Sequence, residues 1–154
     1  MAVSNQVKVY ARMWPREVFD YRTLNGNRKQ ALAMSLEFLN KPGVYVLYRD
    51  DVPYYIGKAA KLRHRIQDHA TKVGGRYYNH WNFFSAFVIE NSRNRNEIEG
   101  ILIAAMPTAN SANPKLQREK LPDAVKDMVR MIRRHCANPL TEDKMYDIVQ
   151  EASN

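Results

Sequence analysis

Pro42-Gly-Val-Tyr-Val-Leu-Tyr48, a polar break at Arg49-Asp50-Asp51, and then Pro53-Tyr-Tyr-Ile-Gly-Lys58 form the stretch whose reading decides the fold. Val44, Val46 and Tyr48 fall on one side of an extended segment and Tyr45 and Leu47 on the other, the period of two that a β-strand imposes. The two aspartates cannot continue that apolar run, and Pro53 lacks a ladder donor, so the chain turns there and returns through Tyr54, Tyr55 and Ile56. The stretch therefore predicts a β-hairpin. Each arm sets a tyrosine beside a glycine, Gly43 with Tyr45 and Tyr55 with Gly57, and a glycine lets backbone or ligand come close.

Working outward, the segment before the hairpin has a possible extended start around Val7 to Met13, a polar turn at Asn25-Gly26-Asn27, and a helical pattern from Arg28 to Leu39 with Leu32, Leu36 and Leu39 on one stripe. After it, Lys58 to Ala70 is rich in helix formers, with Leu62, Ile66 and Val73 close to one line and Gly74-Gly75 as the stop. Phe83 to Ile89 is an apolar run of strand length. Ser92 to Asn96 reads as a polar break, and Glu97 to Met106 as a helix halted by Pro107. Beyond Asn110 the composition shifts to a Ser/Ala/Asn/Pro connector. A helix then starts near Pro122 with Val125, Met128, Val129 and Ile132 on one side, and Thr141 could cap a last one carrying Met145, Ile148 and Val149.

With 154 residues the chain suits one domain of ordinary size. Lys and Arg number 24 against 16 Asp and Glu, a net charge of +8 that favours a polyanionic partner without selecting nucleic acid over other acidic surfaces. A single cysteine, Cys136, excludes an internal disulfide and a cysteine-based zinc site and fits a reducing compartment. No apolar run approaches the roughly 20 residues that span a bilayer. The N-terminus lacks a signal-peptide core, so a cytoplasmic protein with no membrane partner is expected.

Three regions could carry chemistry. On a helix of about 100° per residue, Ile98, Leu102, Ala105 and Met106 define the buried side, with Glu99 roughly 60° and Glu97 roughly 140° from Leu102. Glu97 is the solvated carboxylate, and Glu99 needs a partner: a divalent cation, an arginine or a helix end. In the basic helix, geometry does not choose between Arg63 and Arg65, and His69 falls nearly within the apolar stripe, one turn after Arg65. The loop Arg76-Tyr77-Tyr78-Asn79-His80-Trp81 interleaves a cation with aromatics, which suits contact with a nucleic-acid backbone and bases; a loop folded onto the sheet edge explains Trp81 better.

The hairpin resembles the signature of the GIY-YIG nuclease family, in the pieces Gly43-Val44-Tyr45 and Tyr55-Ile56-Gly57-Lys58. Further pieces follow in family order: an arginine beyond the second motif, Glu99-Gly-Ile-Leu-Ile on a later helix, and Met106-Pro-Thr-Ala-Asn110. Valine stands where isoleucine is usual in the first motif. The resemblance implies an α/β fold with a small three-stranded antiparallel sheet flanked by helices, over a core of residues 41–114, with an N-terminal extension (1–40) and a helical C-terminal extension (115–154) in one domain. It implies a metal-dependent endonuclease that hydrolyses DNA phosphodiester bonds, with Tyr45 as general base, Tyr55, Lys58 and Arg65 in the catalytic set, and Glu99 as the ligand of one Mg²⁺ or Mn²⁺. Gly57, His69, Arg76 and Asn110 are placed on the substrate side. A Tyr45 base would need its phenol pKa lowered by the metal, Arg65 or Lys58. The expected partner is DNA, duplex or branched, with RNA not excluded, and a homodimer would let two sites cut one duplex. The rival reading is a catalytically inactive nucleic-acid-binding module on the same fold; a basic structural protein is weaker.

Overall fold

The computed structural model describes residues 7, 9–20, 24–110 and 116–135 of the chain. The chain clusters into two compact units, Met1–Leu116 and Gln117–Asn154. In the first, the elements run β1 (Tyr10–Pro15), α1 (Gly26–Ser35), β2 (Gly43–Arg49), β3 (Val52–Ala59), α2 (Leu62–Thr71), β4 (Phe83–Val88) and α3 (Ser92–Ala105), with 3-10 turns at Arg16–Phe19 and Glu37–Asn40. Among the described residues no helix is long and apolar enough to cross a membrane.

The hairpin forms as its alternation requires. β2 and β3 pair antiparallel from Gly43 opposite Ala59 to Arg49 opposite Val52, and Asp50 makes the turn with φ of 55°. Asp50 is held there by Asn82, whose Oδ1 accepts from the Asp50 N–H at 2.7 Å and whose Nδ2 donates to Asp50 Oδ1 at 2.9 Å. The sheet has four strands in the order β1-β4-β2-β3, not the three expected. The extra one is β1, antiparallel to β4 with a bulge between Ala11 and Trp14 where Met13 takes a φ of 52°. A bulge breaks the period of two, so the sequence offers only a blurred strand signal here.

β2 lies between β3 and β4, with elements packed on each face of the sheet, so it is buried on both faces and its two rows of side chains feed two cores. Tyr45 and Leu47 join Leu36, Leu39, Leu62, Ile66, Trp81 and Phe84 on the side covered by α2 and the N-terminal turns. Val44 and Val46 join Ile56 and Ile89 on the other side, packed by Ile98, Leu102, Ile103 and Met106 of α3. Gly43 has no room for a side chain: a Cβ there would strike the Phe87 carbonyl oxygen and come within 2.7 Å of Leu62.

Element ends differ from expectation in three places. Lys58 and Ala59 finish β3 instead of opening a helix, and α2 starts at Leu62. α2 stops at Thr71, so Val73 leaves the stripe of Leu62 and Ile66 and stands 77% exposed. The polar run Ser92–Asn96 is the first part of α3, because the Asn91 side chain caps it, accepting from the N–H groups of Arg93 at 2.9 Å and Asn94 at 3.2 Å.

The second unit contains α4 (Asp123–His135), whose first turn closes on the Pro122 carbonyl. Its exposed ion pairs, Lys126 with Asp123 and Arg130 with Asp127, are spaced three residues apart. Val125, Met128, Met131 and Ile132 of this helix are exposed. Cys136 and the helix expected after Thr141 lie outside the described residues.

Candidate active site

The site is built where β2 faces β3. Tyr45 is paired across the ladder with Gly57 and is fully buried. A Cβ on Gly57 would strike the Tyr45 hydroxyl and lie 2.5 Å from Cζ and 2.8 Å from Cε1 of the ring. The missing side chain of Gly57 is thus the space that the Tyr45 phenol occupies. From α2, which covers the same face, His69 brings Nε2 to 2.8 Å from the Tyr45 hydroxyl, and Arg65, one turn earlier, also acts on that hydroxyl. The choice that helical geometry left open falls on Arg65.

A group of rings closes over these residues. Tyr55 lies 6.1 Å from Tyr45 and 5.6 Å from His69, centroid to centroid. Tyr77 stacks on Tyr55 at 4.4 Å and 29° and sets its edge against His69 at 5.8 Å. Exposed His80 stacks on Tyr54 at 5.6 Å and 20°. Arg76 is also exposed, with its guanidinium 5.5 Å from the Tyr77 ring. Trp81 is 3% exposed and packs in the core against Phe84, as its alternative reading had it.

Burial in this setting moves the titrations apart. Desolvation, helped by the neighbouring Tyr55, pushes the Tyr45 phenol well above its usual range, against the lowering pull of Arg65. This is opposite in direction to what a phenolate base would need in the resting protein. Burial, then the Arg65 charge, lower His69 to about 4, with Asp68 pulling weakly the other way. Burial alone would lower Arg65, yet Tyr45, Tyr55 and Asp68 outweigh it and its pKa is raised. The resting state at neutral pH is a protonated phenol between a neutral imidazole and a guanidinium.

Glu99 and Lys58 pair with each other on the other face of the sheet. Lys58 directly follows Gly57 and pairs with Val44, whose row faces α3. Its Nζ lies 2.9 Å from Glu99 Oε2 and donates to Asn96 Oδ1 at 2.8 Å. The Glu99 side chain is 18% exposed against 46% for Lys58, so the carboxylate is the sheltered member and already stabilises a cation. The protein group that meets Glu99 is a lysine of the second motif, not an arginine. Glu97 is the solvated carboxylate, 4.0 Å from exposed Arg93.

Among the described residues no three of His, Cys, Asp and Glu cluster as a metal cage. A hard divalent ion such as Mg²⁺ keeps most of its waters and needs only one or two carboxylates, and Glu99 offers a sheltered one, its side chain 18% exposed. Glu99 is the residue that would hold it.

The Asn110 side chain is engaged by the main chain of β3. Its Oδ1 accepts from the Ile56 N–H at 2.9 Å and its Nδ2 donates to the Ile56 carbonyl at 2.7 Å, while the Ala109 N–H bonds the Tyr54 carbonyl at 2.8 Å. The asparagine therefore satisfies the outer edge of β3.

Residues 41–120, just over half of the chain, match the GIY-YIG catalytic domain. The chain belongs to the GIY-YIG family. Solved structures similar to this GIY-YIG protein include the N-terminal endonuclease domain of UvrC from Thermotoga maritima with magnesium as its catalytic divalent cation. That domain is 26% identical, with 47% of this chain and 88% of that one covered and a TM-score of 0.39. A point mutant of the same domain, also bound to its catalytic divalent cation, is 27% identical over 47% of this chain and 87% of that one, again with a TM-score of 0.39. No curated protein matches the GIY-YIG chain.

Sequence reasoning did not find Tyr77 or Arg16 as neighbours of the site, and it set His69 on the substrate side without its partner, the Tyr45 hydroxyl. For His69 a signal existed, since four residues after Arg65 is the same helix face. For Arg16 there was none, because its partners lie 54 to 65 residues away.

Proposed function

We propose that this GIY-YIG protein is a metal-dependent endonuclease that hydrolyses phosphodiester bonds in DNA. The observation that carries the reading is the Tyr45 phenol seated in the space left by Gly57 and held between His69 and Arg65, with Lys58, the next residue of β3, paired to Glu99 of α3. A divalent ion held by Glu99 would supply Lewis-acid stabilisation of charge on phosphate oxygens and on the leaving oxygen.

The chain's own groups do the rest. Arg65 offers a planar fork to the phosphate, for which lysine is a poorer substitute. Neutral His69 accepts the Tyr45 hydroxyl proton at Nε2. As a water oxygen bonds to phosphorus, its proton passes to Tyr45 and the phenol's own proton passes to His69, so Tyr45 serves as base without existing as a free phenolate. The P–O bond to the departing nucleoside oxygen then breaks. Lys58, released from Glu99, places an ammonium near the same phosphate. The net charge of +8 favours a polyanion, and exposed Arg76 and His80 extend the cationic and aromatic surface for it.

The test is incubation of supercoiled plasmid, branched DNA and RNA with the protein and Mg²⁺ or Mn²⁺. Nicking or cutting that EDTA stops, and that added metal restores, is expected. Binding without cleavage on every substrate makes the protein an inactive binding module instead.

The relay has a pH signature. His69 accepts a proton only while neutral, and with its pKa held to about 4 the acid limb of kcat/KM should fall near pH 4 at saturating metal. His69→Gln is expected to remove that limb and slow cleavage. An acid limb that persists unchanged in His69→Gln would take His69 out of the mechanism.

A further inference from the structure

The residues matching the family begin at 41, yet the 3-10 turn after β1 reaches into the site. The Arg16 guanidinium donates through NH1 to the carbonyls of Tyr78 and of Trp81, the latter at 3.2 Å, and through NH2 to the Ala70 carbonyl at 2.9 Å. It also lies 4.8 Å from the ring centroid of Tyr78 and 5.0 Å from that of Trp81. Its own N–H bonds the Asn82 carbonyl at 2.9 Å.

We propose that Arg16 is a positioning residue of this active site, clamping the loop 77–81 and the C-terminal end of α2 so that Tyr77 closes over Tyr55 and His69. Both clamped segments carry the site. Ala70 follows His69 in the last turn of α2, where unpaired carbonyls make a negative helix end suited to a cation. Tyr78 follows Tyr77, whose ring covers Tyr55 and His69. Three acceptors on two segments, together with two flanking rings, call for a planar fork of donors; an ammonium is a point charge that cannot meet them together. The proposal rests on the nuclease reading only for its effect on cleavage.

The test is NMR titration of His69 in the full-length metal-free protein, its signal assigned by His69→Gln, alongside kcat and KM. The groups facing His69 are Tyr45 from β2, Tyr55 from β3, Arg65 and Asp68 from its own helix, and Tyr77 from the loop. None is altered in Arg16→Ala. Burial is the main force lowering His69, so release of Tyr77 should move its titration upward from about 4 towards 6.5. The acid limb of cleavage should move with it, and kcat should fall roughly tenfold to a hundredfold as the constellation loosens, with KM changed less. Arg16→Lys, keeping the charge without the fork, is expected to lie between, and it decides the matter alone if Arg16→Ala does not fold. A folded Arg16 variant with His69 still titrating at the wild-type pH and kcat unchanged overturns the proposal. Wild type that cuts no substrate fails the nuclease reading while the His69 titration remains readable.

Discussion

Glu99→Gln is expected to lower kcat by roughly a thousandfold or more, since a metal-held charge at the reacting phosphate is worth several kcal/mol and each 1.4 kcal/mol is about tenfold. DNA affinity should stay within a few-fold of wild type or tighten, because the substitution removes one negative charge from a basic surface. Stability should change little. The pair that Glu99 makes with Lys58 is half open to solvent on the lysine side, and ion pairs of that kind contribute about 1 kcal/mol or less. The measurements are cleavage under single-turnover conditions, DNA binding without metal, and Mn²⁺ binding by electron paramagnetic resonance. Loss of Mn²⁺ binding together with cleavage locates the ion. A variant that binds Mn²⁺ and cuts as wild type does removes Glu99 from the site.

Gly57→Ala should be nearly as damaging, for a steric reason. The added methyl would lie inside contact distance of the Tyr45 hydroxyl and two ring atoms, and that side chain is fully buried and has nowhere to retreat. Overpacking of this sort costs about 1–3 kcal/mol, so the variant should fold with a lowered Tm. The larger effect falls on chemistry. The phenol is driven off His69 and Arg65, and a displacement of the order of 1 Å costs about a hundredfold in kcat. Circular dichroism and thermal melts separate lost fold from lost alignment. Wild-type cleavage in a folded Gly57→Ala protein would show that the Tyr45 position does not matter.

Both effects turn on residues that could be read from the sequence, and the reasons differ. The hairpin was legible because alternation, two aspartates and Pro53 all agree locally, and its register then brings Tyr45 opposite Gly57 without further assumption. α3 showed its buried side through Ile98, Leu102 and Met106, but its start was hidden because Ser92–Asn96 has the composition of a loop and becomes helical through the Asn91 cap. Val73 was misplaced because a helical pattern says nothing about where the chain departs from it. β1 was only hinted at, since the bulge at Met13 spoils its alternation. Partners were the least legible. Lys58 for Glu99, His69 for Tyr45 and the carbonyls around Arg16 are set by how distant segments meet, and no periodicity along one element encodes them. The direction of the Tyr45 titration belongs to the same class, because desolvation exists only once the ring has been enclosed.

The amide of Asn110 has a consequence for assembly. By meeting both main-chain groups of Ile56 it imitates a missing neighbour and plugs the outer margin of β3. A second copy therefore finds the outward groups of Ile56 and the Tyr54 carbonyl already taken, which opposes extension of the sheet there, a common and hazardous route to self-association for a bare margin. If this protein acts as a pair on opposite strands of a duplex, the pairing is expected to use a surface other than this stretch of β3.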